Sequence, residues 1–325
     1  MQFIKLNNGV EIPQVGLGTF LIPEEKMSET IGVAYELGYR QFDTAWRYHN
    51  EAQIAKALKD NRISREDVFI TTKINADGLY LSDYKYGLKR FLNIRNGKSI
   101  KRIIQESFDN LQTDYIDLFL IHWPWPIAPD MWEELSKLYE KGRIRAIGVS
   151  NFLQPHIEAL SEISDIVPAV NQFEISPLNT NKELIEFCKN KGIAVEAMST
   201  FSHYRSVEPR LEVFQNPVLI DIANKYKKSV VQVVLRWMLQ QSIIVIPKTW
   251  NVNHLKENIS VFDFELTNDE MRDIDSLDKG KYLNYNPLSA QEGLPRKYRN
   301  WEGFKEWDKY YQPHGISRIL HKILK

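Results

Sequence analysis

Short unbroken apolar runs recur along the chain, each followed by a loop and then by a stretch of helical period. The runs are VGLGTF, YRQFDTA, DVFITTK, IDLFLIHW, IRAIGVSNF, VPAVNQFE, IAVEAMS and IIVIPKT. Between them, segments such as EKMSETIGVAYELG, SIKRIIQESFDNLQ, MWEELSKLYEKG, KELIEFCKNKG and SVVQVVLRWMLQQ carry apolar residues three and four apart. A run that does not alternate is a strand covered on both faces, as in a parallel sheet with helices packed against it. Eight such units within about 250 residues fit a (β/α)8 TIM barrel better than an open sheet of six or seven strands. Ahead of the first run, FIKLNNGVEIP reads as a β-hairpin with Asn8 and Gly9 as positive-φ turn residues. It is placed to cap the bottom of the barrel.

Composition narrows the class of molecule. The chain has 325 residues, so one barrel leaves material over: the barrel is assigned to residues 1–278 and an extended C-terminal segment to 279–325. A second long connection, about residues 75–98, follows the third run. The 42 basic and 42 acidic side chains cancel, which leaves no global field to attract nucleic acid. The tail is nevertheless basic, with 10 basic and 4 acidic residues from Lys279 onward. Cys188 is the sole cysteine, which excludes a disulfide framework and indicates a reducing compartment. The N-terminus lacks the apolar core of a signal peptide, and no stretch approaches about 18 uninterrupted apolar residues. The expectation is a soluble cytoplasmic protein, monomeric or weakly self-associating, with a small-molecule partner and no metal.

Chemistry in such a barrel sits where the strands end. The second run ends at Asp43, with Tyr48 five residues on; the third ends at Lys73, and the fourth at His122 and Trp123. Each alone has an ordinary reading: a capping acid, a rim aromatic, a solvated lysine, a core histidine. Together they bring an acid, a phenol, an amine and an imidazole to one rim. The fifth run ends in Ser150 and Asn151, the sixth carries Gln172 and Glu174, and the eighth ends in Lys248 and Thr249.

These stretches resemble the aldo-keto reductases. The likeness rests on GLGT at 16–19, DTAWRYHNE at 43–51, TTK at 71–73 and LFLIHWP at 118–124. It continues through GRIRAIGVSNF at 142–152, VNQFEISP at 170–177, LRWMLQQ at 235–241 and IPKT with the following LKENISVFDFEL. The resemblance implies hydride transfer from NADPH to an aldehyde or ketone. Tyr48 would be the general acid, Lys73 would lower its pKa, Asp43 would hold Lys73, and His122 would polarise the carbonyl. Cofactor contacts would come from Thr19, Ser150, Asn151, Gln172, Met198, Lys248, Thr249, His254, Glu257 and Asn258. Phe20, Trp46, Arg47 and Trp123, joined by Trp125, would line the substrate pocket.

Two departures from the family pattern bear on the cofactor. Met198 stands where an aromatic residue usually stacks on the nicotinamide. His254 stands where an arginine often clamps the 2′-phosphate, so NADH remains open beside NADPH. Basic and aromatic residues in the 75–98 loop suggest a keto acid or sugar-like aldehyde, with a solvated helical face as the plain alternative. The aromatic tail reads as a substrate lid or as packing on the barrel wall. Two rival functions are weighed: a binding or regulatory protein keeping the reductase fold, and a glycosidase using Glu174 and Glu196. The latter leaves Tyr48, Lys73 and His122 without a role.

Overall fold

The computed structural model describes residues 2–75, 98–124, 128–201 and 208–282. The basic loop, Trp125 and the tail beyond Tyr282 lie outside the described residues, and so do the expectations attached to them.

All eight runs become strands of one parallel sheet. They are β3 (Leu17–Gly18), β4 (Gln41–Asp43), β5 (Phe69–Ile74), β6 (Ile116–Ile121), β7 (Ile144–Ser150), β8 (Val170–Glu174), β9 (Ala194–Met198) and β10 (Ile244–Val245). Each pairs with its sequence neighbour. The ring closes where Gly16 N donates to Val245 O at 2.8 Å and Val245 N donates to Gln14 O at 3.0 Å. Two glycines permit this tight winding. A Cβ on Gly18 would meet Ile246 O at 2.8 Å, and one on Gly148 would meet Val170 O at 2.5 Å.

Strand alternation sorts the side chains. Outward residues such as Ile70, Phe119, Ile147, Phe173 and Val195 join the large core shared with the helices. Inward residues at the lower end form a second, smaller cluster: Phe69, Leu118, Leu120, Ala146, Val170 and Ile244. The hairpin β1 (Phe3–Lys5) and β2 (Glu11–Pro13) sets Leu6 and Ile12 into that cluster as a stopper. Asn7 Nδ2 and Asn8 Nδ2 donate to Pro168 O and Arg145 O at 3.1 and 2.9 Å, tying the stopper to the rim.

The turn differs from the sequence expectation. Leu6 N bonds Val10 O across three residues, and Gly9 (φ 87°) has a positive φ whereas Asn8 does not. A three-residue loop needs one left-handed position, which Gly9 takes, while Asn8 Oδ1 accepts from Val10 N at 3.2 Å.

Higher in the barrel the inward positions turn polar: Gln41, Asp43, Thr71, Lys73, Gln172 and Glu196 are all buried. This change of character, apolar below and ionisable above, locates the site.

Candidate active site

Asp43 and Lys73 share the centre of the polar layer. Lys73 is fully enclosed, and Nζ donates to Asp43 Oδ1 at 2.6 Å, Asp43 Oδ2 at 2.7 Å and Thr44 O at 2.9 Å. Three acceptors around one ammonium satisfy what its burial would otherwise leave unpaired. Burial is the largest influence on the Lys73 pKa and pushes it down. Asp43 and the other negative groups more than reverse it, so the pKa lies above the ordinary lysine value and the cation persists.

Asp43 is held from behind. Thr19 N and Oγ1 both donate to Asp43 O, at 2.9 and 2.8 Å. Asn50 Nδ2 donates to Thr19 O at 2.9 Å, and Thr44 Oγ1 donates to Asn50 Oδ1 at 2.5 Å. Thr19 thus spends its hydroxyl on the strand end that positions the acid.

Tyr48 closes a short 3-10 turn, Trp46–Tyr48, which ends at His49 in the left-handed region (φ 55°). Its ring centroid lies 5.1 Å from Lys73 Nζ and 5.8 Å, edge-on, from the His122 ring. Burial raises the phenol pKa above its usual value, and the Lys73 charge and hydrogen bond oppose this without overcoming it. The net direction is therefore opposite to that expected from the lysine alone. Desolvation penalises the phenolate more than one cation, itself neutralised by Asp43, can offset.

His122 is half-buried, and its imidazole is neutral near pH 7. Desolvation first, then Lys73 and Arg47, hold its pKa well below the ordinary histidine value. Its Nδ1 has no hydrogen-bond partner within the protein. Phe20 lies 4.6 Å from the Tyr48 ring, and Trp123 stacks on His122 at 6.4 Å and 24°. Trp46 is pinned by Nε1 donating to Glu106 Oε2 at 3.0 Å. Phe20 and Trp123 thus border the Tyr48–His122 pair, and Arg47 acts on His122 through its charge.

A second group lies across the barrel. Ser150 and Gln172 pair in register, Asn151 N donates to Gln172 O at 2.8 Å, and Asn151 Nδ2 donates to His122 O at 3.0 Å. Gln172 Nε2 donates to Asp43 Oδ2 at 3.0 Å, which joins this group to the acid. Met198 ends β9 opposite Glu174. Lys248 and Thr249 lead into a helix, Val252–Ile259, that carries His254, Glu257 and Asn258. Asn251 caps it, accepting from Asn253 N and His254 N at 2.9 and 3.3 Å. Partial burial, followed by the charge of Arg210, lowers the Lys248 pKa.

Comparison with known proteins agrees with this arrangement. Residues 14–279 match the Aldo/keto reductase family. The chain is 40% identical over 287 residues to glyoxal reductase of Bacillus subtilis, covering 87% of this chain and 95% of that one. It is 36% identical to methylglyoxal reductase of Escherichia coli O157:H7, covering 87% and 96%. Among solved structures, an aldo-keto reductase from a deep-sea metagenome library superposes with a TM-score of 0.76 at 34% identity, covering 87% and 97%. The chain belongs to the aldo/keto reductase family.

As a member, it is a nicotinamide-dependent oxidoreductase built on a (β/α)8 barrel, and the family reduces carbonyls. The glycosidase reading falls with that assignment. Glu196 is wholly enclosed, accepting from Gln41 Nε2 at 2.6 Å and Gln172 Nε2 at 2.5 Å, so no glycosidic oxygen can reach it. Among the described residues no helix is long and apolar enough to cross a membrane.

Sequence reasoning missed the supports of this reductase site. Asn50, Thr44 and Gln41 are polar residues buried behind Asp43 and Glu196. The signal available was a polar side chain at an inward position of an otherwise apolar strand, as in RQFD and AVEAM.

Proposed function

We propose that this reductase uses NADPH to reduce short aldehydes and ketones, with Tyr48 as the proton donor to the carbonyl oxygen. The observation carrying this reading is the convergence of a half-buried phenol, the enclosed Lys73 ammonium 5.1 Å from its ring and the His122 imidazole 5.8 Å from it, edge-on.

The residues present fit a nicotinamide nucleotide. Asn151 is buried, its Nδ2 is spent on His122 O and Ser150 Oγ, and its Oδ1 is buried without a partner. A buried acceptor left open in this way suits a ligand N–H. Ser150, Asn151 and Gln172 would hold the carboxamide, with Met198 beside the ring. Lys248, Thr249, His254, Glu257 and Asn258 would hold the adenosine end, where Lys248 and a helix N-terminus favour phosphate. The bound nucleotide supplies a hydride.

The protein's own groups do the rest. The carbonyl oxygen would sit between Tyr48 and His122. The neutral imidazole donates a hydrogen bond to it, and Tyr48 O–H gives its proton as negative charge develops there. Lys73 stabilises the resulting phenolate, and Asp43 fixes Lys73 without discharging it. Phe20, Trp46 and Trp123 exclude water. Arg47, whose charge reaches His122, favours substrates bearing an additional oxygen or negative charge. The names of the Bacillus and Escherichia relatives add α-dicarbonyl aldehydes to the keto acids and sugar-like aldehydes suggested by the sequence.

The test is a panel of methylglyoxal, a keto acid, an aldose and a neutral aromatic aldehyde, followed by NADPH loss. Turnover of at least one, abolished in Tyr48→Phe, is expected. Full turnover by that variant, or no NADPH consumption across the panel, overturns the reading.

A further inference from the structure

Glu196 is an inward ionisable side chain of the polar layer for which the proposed reaction has no use. It sits on β9, directly opposite Gln172 in register, and is fully buried. Each of its oxygens takes an amide N–H: Oε1 from Gln172 at 2.5 Å and Oε2 from Gln41 at 2.6 Å. Gln172 Nε2 also donates to Asp43 Oδ2 at 3.0 Å. Both protons of that amide nitrogen are therefore committed to carboxylates.

This arrangement fixes which way the Gln172 amide faces. Reversing it would set Oε1 against Asp43 Oδ2, an oxygen that already accepts from Lys73, and would remove from Glu196 an N–H that favours its charged form, whose pKa burial and then Asp43 raise to about 7. Oε1 is thus the atom left for a ligand, and it is an acceptor. The neighbouring groups complete a pattern. Asn151 Nδ2 donates to Ser150 Oγ at 3.1 Å and to His122 O, so Asn151 Oδ1 is a second buried acceptor. Ser150 Oγ, already accepting, has its O–H proton to give. Two acceptors and one donor complement a primary carboxamide, which has two N–H and one C=O.

We propose that Glu196 is a positioning residue that locks the Gln172 amide with its carbonyl outward, so that the site selects a cofactor bearing a primary carboxamide over one bearing a methyl ketone. The inference rests on the reductase reading above and deepens it. Asp43 cannot hold the amide alone with equal firmness, because its oxygens already receive two contacts from Lys73. Glu196 supplies the second anchor, and with it the orientation of the amide plane.

The test measures dissociation constants for NADPH and for the reduced 3-acetylpyridine analogue, which lacks both amide N–H groups, by quenching of tryptophan fluorescence. The wild-type protein should bind NADPH on the order of 10- to 100-fold more tightly, since the analogue leaves buried acceptors unpaired. In Glu196→Gln, which keeps the volume but can itself donate to Gln172 Oε1, that ratio should shrink about tenfold. A Glu196→Leu variant, with no acceptor at all, should shrink it as well. A purely structural role would weaken both ligands alike and leave the ratio unchanged. An unchanged ratio in Glu196→Gln, with NADPH still binding, overturns the proposal while leaving the reductase reading intact. Failure of the wild-type protein to bind either nucleotide overturns both.

Discussion

Lys73 Nζ lies within 2.7 Å of both carboxylate oxygens of Asp43, and neither side chain is open to water. A buried pair of this kind is sensitive to loss of one member, because the other is left charged and unpaired. Asp43→Ala should destabilise the fold by about 3–5 kcal/mol. Lys73→Met fills the space but leaves Asp43 charged and without its ammonium, so it should cost a comparable amount of stability and also abolish turnover. Urea unfolding of both variants checks the first statement, and steady-state rates check the second.

Tyr48→Phe should lower kcat by at least about 10²–10⁴, the range usual for loss of a positioned general acid. The ring contacts with Phe20 and His122 do not involve the hydroxyl, so the fold and NADPH affinity should persist. Rapid-quench and fluorescence titration together separate the two effects.

His156 reports on acid stability. It is buried, with Nδ1 accepting from Leu153 N at 3.0 Å, and burial lowers its pKa to about 3. Its ordinary value is about 6.5. Between those limits the unfolded chain carries the extra proton, so falling pH favours unfolding. This one group should remove about 1.4 kcal/mol of stability per pH unit across the window and nothing above it. His156→Gln should flatten that part of the stability profile relative to wild type, as read by denaturant midpoints at pH 4, 5, 6 and 7.

His254→Arg should raise the preference for NADPH over NADH by roughly tenfold. A guanidinium at the start of the Val252–Ile259 helix adds a fork suited to the 2′-phosphate beside Lys248. The ratio of the two kcat/KM values measures it directly. An equal gain with both cofactors would place His254 away from the 2′-phosphate.

Gly148→Ala should destabilise by about 1–3 kcal/mol or more, since the added Cβ lands 2.5 Å from Val170 O and 2.8 Å from Leu120 Cδ2. Backbone on a closed ring cannot retreat as a flexible side chain could. Thermal unfolding against the wild type is sufficient.

The barrel was legible because its strands, covered on both faces, are written as apolar runs that alternation does not interrupt. Asp43, Lys73 and His122 were legible because they stand where those runs stop. Asn8 was misassigned because dipeptide signals do not specify loop length, which the pairing of Leu6 with Val10 sets. The direction of the Tyr48 pKa was hidden for a different reason. Sequence shows that a cation is near, but only packing shows how much water has been removed. Glu196 was visible as a carboxylate but entered only a rival reading that was set aside, and its place was hidden because enclosure by Gln41 and Gln172 is a property of three separate strands.

The hairpin stopper makes the barrel a vessel with one mouth. Leu6 and Ile12, seated on Phe69, Leu118 and Val170, seal the lower end with a layer that carries no proton. In the proposed reaction, the proton given by Tyr48 is therefore replaced from the same side by which substrate enters and product departs. Reloading the acid and clearing the site share a single passage. A lodged product would block the next turnover twice, by occupying the pocket and by cutting off the acid's resupply.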